Sequence, residues 1–168
     1  MEIYMANAKI IGIMACASNG VVGNNGQIPW HYPEEFKHFR DTIGKSPIVL
    51  GRRTFESLPE SILKDRLVIV FSQTKHSKAV GVIFVSSLEE FLSLNILSKP
   101  VDIFMIGGAQ LANLFLENKL LSEFILTKLN IPYDGDAVLN IKAFDSWKSE
   151  VINKTQDYVV YKKWIPIN

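Results

Sequence analysis

Among the titratable residues, Glu35 has the neighbours that could turn a carboxyl group to chemistry. On a helical wheel with Glu35 at the origin, Phe39 falls roughly 40° away, Ile43 roughly 80° and Phe36 roughly 100°. Arg40, Lys37, Asp41, Glu34 and His38 take the other arc. Glu35 therefore stands at the margin of an apolar stripe, while Glu34 points to water. A carboxyl beside two phenylalanines loses solvation, and its pKa rises unless a cation compensates. Such a group can hold an amidine-like heterocycle through two parallel hydrogen bonds. On the wheel alone, a first-turn acid complementing the helix dipole is the simpler reading.

Two further segments offer places for anions or close backbone approach. An apolar run from Pro47 to Leu50 ends on Gly51-Arg52-Arg53-Thr54 and opens a short helix. Free amides at a helix start, flanked by guanidinium groups, favour phosphate. Taken alone, the pair reads equally well as two solvated arginines. The run Ile103-Phe104-Met105-Ile106 ends on Gly107-Gly108 before Ala109, Gln110 and Leu111. Paired glycines let a ligand approach the backbone closely. This is not the dinucleotide fingerprint G-x-G-x-x-G, and alone it reads as a chain turn. His31, His38, His76 and Cys16 have no metal-ligand spacing, and no nucleophile–His–acid arrangement stands out, so no metal is expected.

Alternating β-rich and helical runs must position these groups. Residues 9–17 read as a buried strand. Residues 18–32 form a long loop rich in Gly and Asn, and loops of that length within a domain are usually functional or disordered. A helix is expected over 33–43, with Pro33 at its first position and Gly44 as its stop. A strand over 47–50, a short helix over 53–58, and strands over 67–71 and 82–85 follow. Ser87-Leu88-Glu89-Glu90 is a capping box opening a helix over 88–97. A strand over 101–106 and a helix over 108–116 precede strands over 124–129, 150–153 and 158–164, the last two pairing as a hairpin. The alternation predicts an α/β fold: a mixed, mainly parallel central sheet with helices on both faces and an antiparallel C-terminal hairpin.

The 168 residues fit a single domain, with residues 1–7 expected to fray. Eighteen basic side chains face 17 acidic ones, a balance that argues against nucleic acid or an anionic membrane as partner. A hydrophobic share of 48% excludes disorder as the main state. The single cysteine, Cys16, rules out an intrachain disulfide and lies in an apolar run, where a buried, inert thiol is expected. No signal peptide is read at the N-terminus, and no apolar run approaches the ~18 residues of a membrane span, so a cytoplasmic protein is expected.

The stretch Gly23-Asn24-Asn25-Gly26-Gln27-Ile28-Pro29-Trp30, with the acid Glu35 on the helix that follows, resembles the signature of the dihydrofolate reductase family. The Gly51-Arg52-Arg53-Thr54 corner and the Gly107-Gly108 pair resemble its second and third signatures, in the same order. The likeness extends from Ile10 to Trp164 and reverses the simpler reading of Glu35. It implies reduction of 7,8-dihydrofolate to 5,6,7,8-tetrahydrofolate by hydride transfer from NADPH to C6 of the pterin, with protonation at N5.

By the same resemblance, Glu35 is the acid, assisted by Ile28 and Trp30 at the mouth of the site. Ile13, Met14, Ala15, Phe36, Phe39 and Leu58 surround the pterin, and Ile106 offers it a carbonyl. Arg66 clamps the carboxylate of the folate's glutamate tail, and Thr127 hydrogen-bonds the acid. On the cofactor side, Ala15, Val22, Gly23, Gly26 and Gln27 face the nicotinamide, while Gly51, Arg52, Arg53 and Thr54 hold phosphates. Ser72 and Gln73, with Lys75 nearby, meet the adenosine 2′-phosphate and favour NADPH over NADH. Gly107, Gly108, Ala109, Gln110 and Leu111 follow the cofactor's backbone. Tyr133-Asp134-Gly135-Asp136 braces the loop over residues 21–28, which closes on the nicotinamide.

A monomer is expected, with dihydrofolate and NADPH as partners and diaminopyrimidine or pteridine antifolates as inhibitors. The chain departs from the family in four places. Glu35 stands where bacterial members usually have Asp, Ile28 replaces the usual Met or Leu gate, Ala112 replaces a tyrosine, and Ala137-Val138 follows Asp136 in place of Phe-Pro. Two alternatives remain at this stage. One is a related pterin or pyrimidine reductase, such as that of riboflavin synthesis, which lacks the Pro-Trp loop and helix acid. The other is a non-catalytic folate- or NADPH-binding protein.

Overall fold

Strand β1 (Lys9–Cys16, sequence KIIGIMAC) is apolar and buried along almost its whole length. A strand with no polar face has to lie inside a sheet covered on both sides. The computed structural model, which describes residues 7–74 and 81–166, places it so. In chain order the elements are β1, β2 (Val21–Gly23), α1 (Pro33–Ile43), β3 (Ile48–Gly51), α2 (Arg52–Ser57), α3 (Glu60–Leu63), β4 (Val68–Phe71), β5 (Val82–Val85), α4 (Leu88–Leu92), β6 (Asp102–Met105), α5 (Ala109–Glu117), β7 (Glu123–Leu129), β8 (Ala137–Val138), β9 (Lys148–Lys154) and β10 (Tyr158–Trp164). The main sheet runs β5-β4-β3-β6-β1-β7-β10-β9. Every pairing from β5 to β7 is parallel, and β10 and β9 close the sheet antiparallel. The α/β fold with helices on both faces and a C-terminal hairpin is thus the one read from the sequence.

Each face of the sheet has its own core. On one, α4 and α5 bring Phe91 and Phe115 onto Phe71, with ring centroids 5.3–5.7 Å apart. On the other, Phe39 and Ile43 of α1, Phe55 of α2 and Ile62 of α3 cover Ile48, Leu50, Val68 and Val70. Helix α1 has the bounds its sequence signals, Pro33 at the start and Gly44 (φ 51°) just past the end. The outer strand β9 is exposed throughout and carries Lys148 and Lys154 at its ends. Charged ends of this kind discourage pairing with another chain.

The structure departs from the expected elements in several places. The helix expected over 88–97 is two pieces: α4 ends at Leu92, and a 3-10 turn covers Asn95–Ser98. The Ser93 hydroxyl donates to the Glu90 carbonyl at 2.7 Å and that of Ser98 to the Asn95 carbonyl at 2.8 Å. Short polar side chains compete here with continued helical bonding. The Ser87 half of the capping box forms, with the Glu90 amide donating to Ser87 Oγ at 3.0 Å, while the Glu90 carboxylate accepts the amide of Ser86 at 2.7 Å. Helix α3 begins after Pro59, whose fixed φ suits a helix start. The long loop is not wholly irregular, because β2 pairs antiparallel with β8 in a second, two-stranded sheet. Asn7, in the stretch expected to fray, is tied to the Leu97 carbonyl at 3.0 Å through its amide and to the Ser98 carbonyl at 2.7 Å through its side chain. Lys75 and His76 lie outside the described residues.

Phe115 is fully buried and bridges two other rings. Phe115→Ala is expected to lower unfolding free energy by about 3–5 kcal/mol, measured by urea denaturation, because the rigid sheet cannot collapse into the cavity left behind.

Candidate active site

The C-terminal ends of β1, β3 and β4, and the turn after β6, open onto one cavity of about 980 Å³. Its floor is Ile13, Met14 and Ala15 of β1, with Ile106 and Gly108 beyond β6. Gly51 and Gly107 join these strands: the Gly51 amide donates to the Gly107 carbonyl at 2.8 Å. Gly107 has φ 111°, and a Cβ there would press on Met14 Cε at 2.9 Å. Gly107 was expected to meet the ligand, but it does not line the cavity; it is a backbone joint beneath it. Gly108 reaches the surface in its place.

The walls come from four other segments. Loop residues Val22, Gly23, Gly26, Gln27, Ile28 and Trp30 line one side, and Glu35, Phe36, Phe39 and Leu58 line another. The Gly51-Arg52-Arg53-Thr54 corner forms the cationic side, and Ser72 and Gln73 extend it. Ala109, Gln110 and Leu111 complete the wall at the start of α5. Ile28 is 66% exposed at the mouth.

Glu35 carries the unusual electrostatics. Burial pushes its carboxyl up to about 7, and no cation offsets the effect. The apolar walls built by Phe36 and Phe39, whose rings lie 5.8 Å apart, are the physical cause. On the cationic side, Arg52 donates to Thr74 Oγ1 at 3.1 Å and lies 3.5 Å from the Glu56 carboxylate. Both contacts aim its guanidinium along the wall.

Three further expected positions fall outside the cavity or act differently. Thr127 is buried on β7, beside Ala15 and so one strand along the sheet from the floor, and among the described residues no hydrogen bond joins it to Glu35. Arg66 does not line the cavity. Its Nε, Nη1 and Nη2 donate to the carbonyls of Ile62, Ser46 and Gly44 at 2.6, 2.8 and 2.6 Å. A guanidinium has five N–H groups, so two remain for a carboxylate. His38, assigned to the solvent arc, is half-buried: it falls only about 60° from Glu35 on the wheel, on the other margin of the stripe. Its Nε2 has no partner among the described residues, and burial lowers its pKa.

The cavity also uses residues that were not anticipated: Ser57, Phe71, Ser86, Ser87, Leu88, Asn113, Leu114, Glu117, Asp136 and Ala137. One signal was available. Gln110, Asn113, Leu114 and Glu117 recur at helical spacing, a mixed polar stripe on an otherwise apolar helix. Ala112, on the opposite side of α5, is fully buried in the core. Asp136 was taken for an outer brace; it lines the cavity and also accepts the Asn25 amide at 3.2 Å. The brace is close, because a Cβ on Gly135 would run into the Gly23 carbonyl and a Val21 methyl.

The family model described as dihydrofolate reductase matches residues 9–162. The chain belongs to the dihydrofolate reductase family. Dihydrofolate reductase type 9 of Escherichia coli is 33% identical, with 96% of this chain and 95% of that protein covered. Dihydrofolate reductase of Neisseria gonorrhoeae is 37% identical over 77% of each chain. A solved dihydrofolate reductase from Enterococcus faecalis, complexed with NADP(H) and RAB-propyl, superposes with a TM-score of 0.75 at 24% identity, covering 97% of this chain and 98% of that one. The last likeness bears on the fold. As a dihydrofolate reductase family member, the chain is an oxidoreductase that reduces dihydrofolate. Among the described residues, no helix is long and apolar enough to cross a membrane.

The Glu35 carboxyl has a consequence for stability. Its folded pKa is raised to about 7 from the ordinary carboxyl value of 4.5. Below the lower value both states are protonated and the group is neutral to folding. Between the two values the unfolded chain loses the proton while the folded protein keeps it, so stability falls as pH rises and levels off above about 7. Glu35→Gln is expected to match the wild type near pH 4 and to exceed it by up to about 3 kcal/mol near pH 8, measured by denaturant titration at both pH values.

Proposed function

We propose that the cavity residues divide the reduction of 7,8-dihydrofolate to 5,6,7,8-tetrahydrofolate among themselves, with NADPH as the cofactor. The observation that carries this reading is Glu35, a carboxyl poised near neutrality against an apolar wall. In its ionised form it can accept two parallel hydrogen bonds from the amidine-like edge of a pterin; protonated, it keeps a proton within the site. The Phe36 and Phe39 rings pack beside the heterocycle, and Ile106 presents its carbonyl. The proton for N5 enters as water at the Ile28–Trp30 edge.

The residues present fit NADPH. Gly51 and Gly108 leave a cradle that side chains would fill: a Cβ on Gly51 would stand 3.9 Å from the Gly107 carbonyl, and one on Gly108 would stand 3.5 Å from Thr54 Oγ1. Arg52, Arg53 and Thr54 supply cation and hydroxyl for phosphates, and Ser72 and Gln73 stand where the chain can meet a 2′-phosphate. NADPH, when bound, supplies the hydride that passes to C6. The protein contributes orientation, a dry wall and a closable loop.

Arg66, oriented by three carbonyls, keeps two donors for the carboxylate of the substrate's glutamate tail. The same reading takes the chain as a single domain over residues 1–168, a cytoplasmic monomer, and a target of diaminopyrimidine and pteridine antifolates, whose amidine-like edge suits the Glu35 carboxyl.

The direct test follows the loss of reduced-nicotinamide absorbance with dihydrofolate, using NADPH and then NADH. Oxidation that requires dihydrofolate and runs faster with NADPH supports the assignment; oxidation independent of dihydrofolate sinks it. Glu35→Gln is expected to fold and to cut kcat by about a hundredfold or more near neutral pH. Wild-type rates in that variant would remove Glu35 from the chemistry. Arg66→Ala is expected to raise KM for dihydrofolate well above any change in KM for NADPH, and equal changes would move Arg66 out of the substrate site.

A further inference from the structure

The turn over residues 130–136 lies against both ends of the loop over residues 18–32. At the loop's start, the Asn19 side-chain amide donates to the Tyr133 carbonyl at 2.9 Å, and the Tyr133 amide donates to Asn19 Oδ1 at 3.5 Å. At its end, the Tyr133 ring lies tilted against Trp30, with centroids 5.3 Å apart. Tyr133, Trp30 and Tyr32 pack together against Leu129, Tyr158 and Val160, and the neighbouring Tyr133 side chain, ahead of burial, pushes the pKa of Tyr32 up.

Tyr32 is one step from the acid. Its carbonyl receives the amides of Glu35 at 3.0 Å and Phe36 at 3.2 Å, the first bonds of α1. Its ring meets Tyr158 of β10 edge-on, with centroids 6.1 Å apart. Trp30, on the other side of Tyr133, lines the cavity directly, whereas Tyr133 does not. Anything that Tyr133 does for the reaction it therefore does through Trp30 and Tyr32. Asp136 works separately, on the middle of the loop through Asn25.

We infer that Tyr133 is a positioning residue for the reduction: its ring sets Trp30 against the cavity, and its ring and backbone clamp the two ends of the loop together. Movement is then confined to the middle of the loop, between Asn19 and Trp30, while Trp30 and the first turn of α1 stay in place. The inference rests on the assignment of dihydrofolate reduction to this cavity.

The test compares steady-state kinetics and thermal unfolding of the wild type, Y133F, Y133L and I131A. Ile131 is 51% exposed in the same turn and serves as a control for general loosening. Y133L, which loses both ring and hydroxyl, is expected to lower kcat about tenfold or more, with KM for dihydrofolate within about twofold. Y133F, which keeps the ring, is expected to stay within about twofold of the wild type, and a Y133F as slow as Y133L overturns the assignment to the ring. I131A should match the wild type. A folded Y133L with a kcat within about twofold of the wild type overturns the proposal, as does a loss carried mainly by KM. If Y133L does not fold, Y133M takes its place, and a kcat within about twofold of the wild type there overturns the proposal. A wild type that fails to reduce dihydrofolate strikes at the activity itself, whereas differences among the variants read on Tyr133.

Discussion

A carboxyl group held away from water without a cation is the constraint around which this molecule is arranged. Glu35 would relax if an arginine lay beside it, and among the described residues none offsets its burial, which holds its carboxyl at about 7. Phe36 and Phe39 of α1 crowd it on one side, and Arg52 of the cavity is turned toward Thr74 and Glu56. Cationic and acidic chemistry thus occupy separate ends of one space. Separation of this kind lets an anionic cofactor and a cationic heterocycle edge share the cavity without competing for the same groups.

The loop over residues 18–32 is held almost entirely by contacts from far along the chain. β2 lies on β8, the Asn25 amide on Asp136, and Asn19 and Trp30 on Tyr133. Gly135 permits the approach because no side chain fits between the two backbones. Few of these contacts bury much apolar surface, and elements held in this way open at lower cost than core strands. Low local stability suits a segment that must admit and release ligands.

The fold was legible because its signals are local. Alternation of buried strands with capped helices marked the parallel sheet, and Pro33 and Gly44 fixed both ends of α1. The break within residues 88–98 was missed because Ser93 and Ser98 divert hydroxyls to nearby carbonyls, a competition that hydrophobic period does not register. The acid and the phosphate corner were legible because residue type and order carry them. The rest of the cavity was not, because Ser86, Ser87 and Asp136 arrive from distant segments that only tertiary structure brings together. Gly107 and Thr127 do not line the cavity: sequence order shows that a residue follows or lies on a strand, but not whether it faces the cavity or supports it.

The strand order explains why a cavity exists at all. β1 and β6 are neighbours in the sheet, yet the chain leaving β1 travels by α1 to β3 while the chain leaving β6 travels by α5 to β7, toward opposite edges and across opposite faces. Where adjacent strands send their continuations apart, a crevice is left that no connection covers. The crevice is thus a property of the winding of the backbone. Side chains around it can be exchanged, and ligand preference rewritten, without disturbing the architecture that creates the opening.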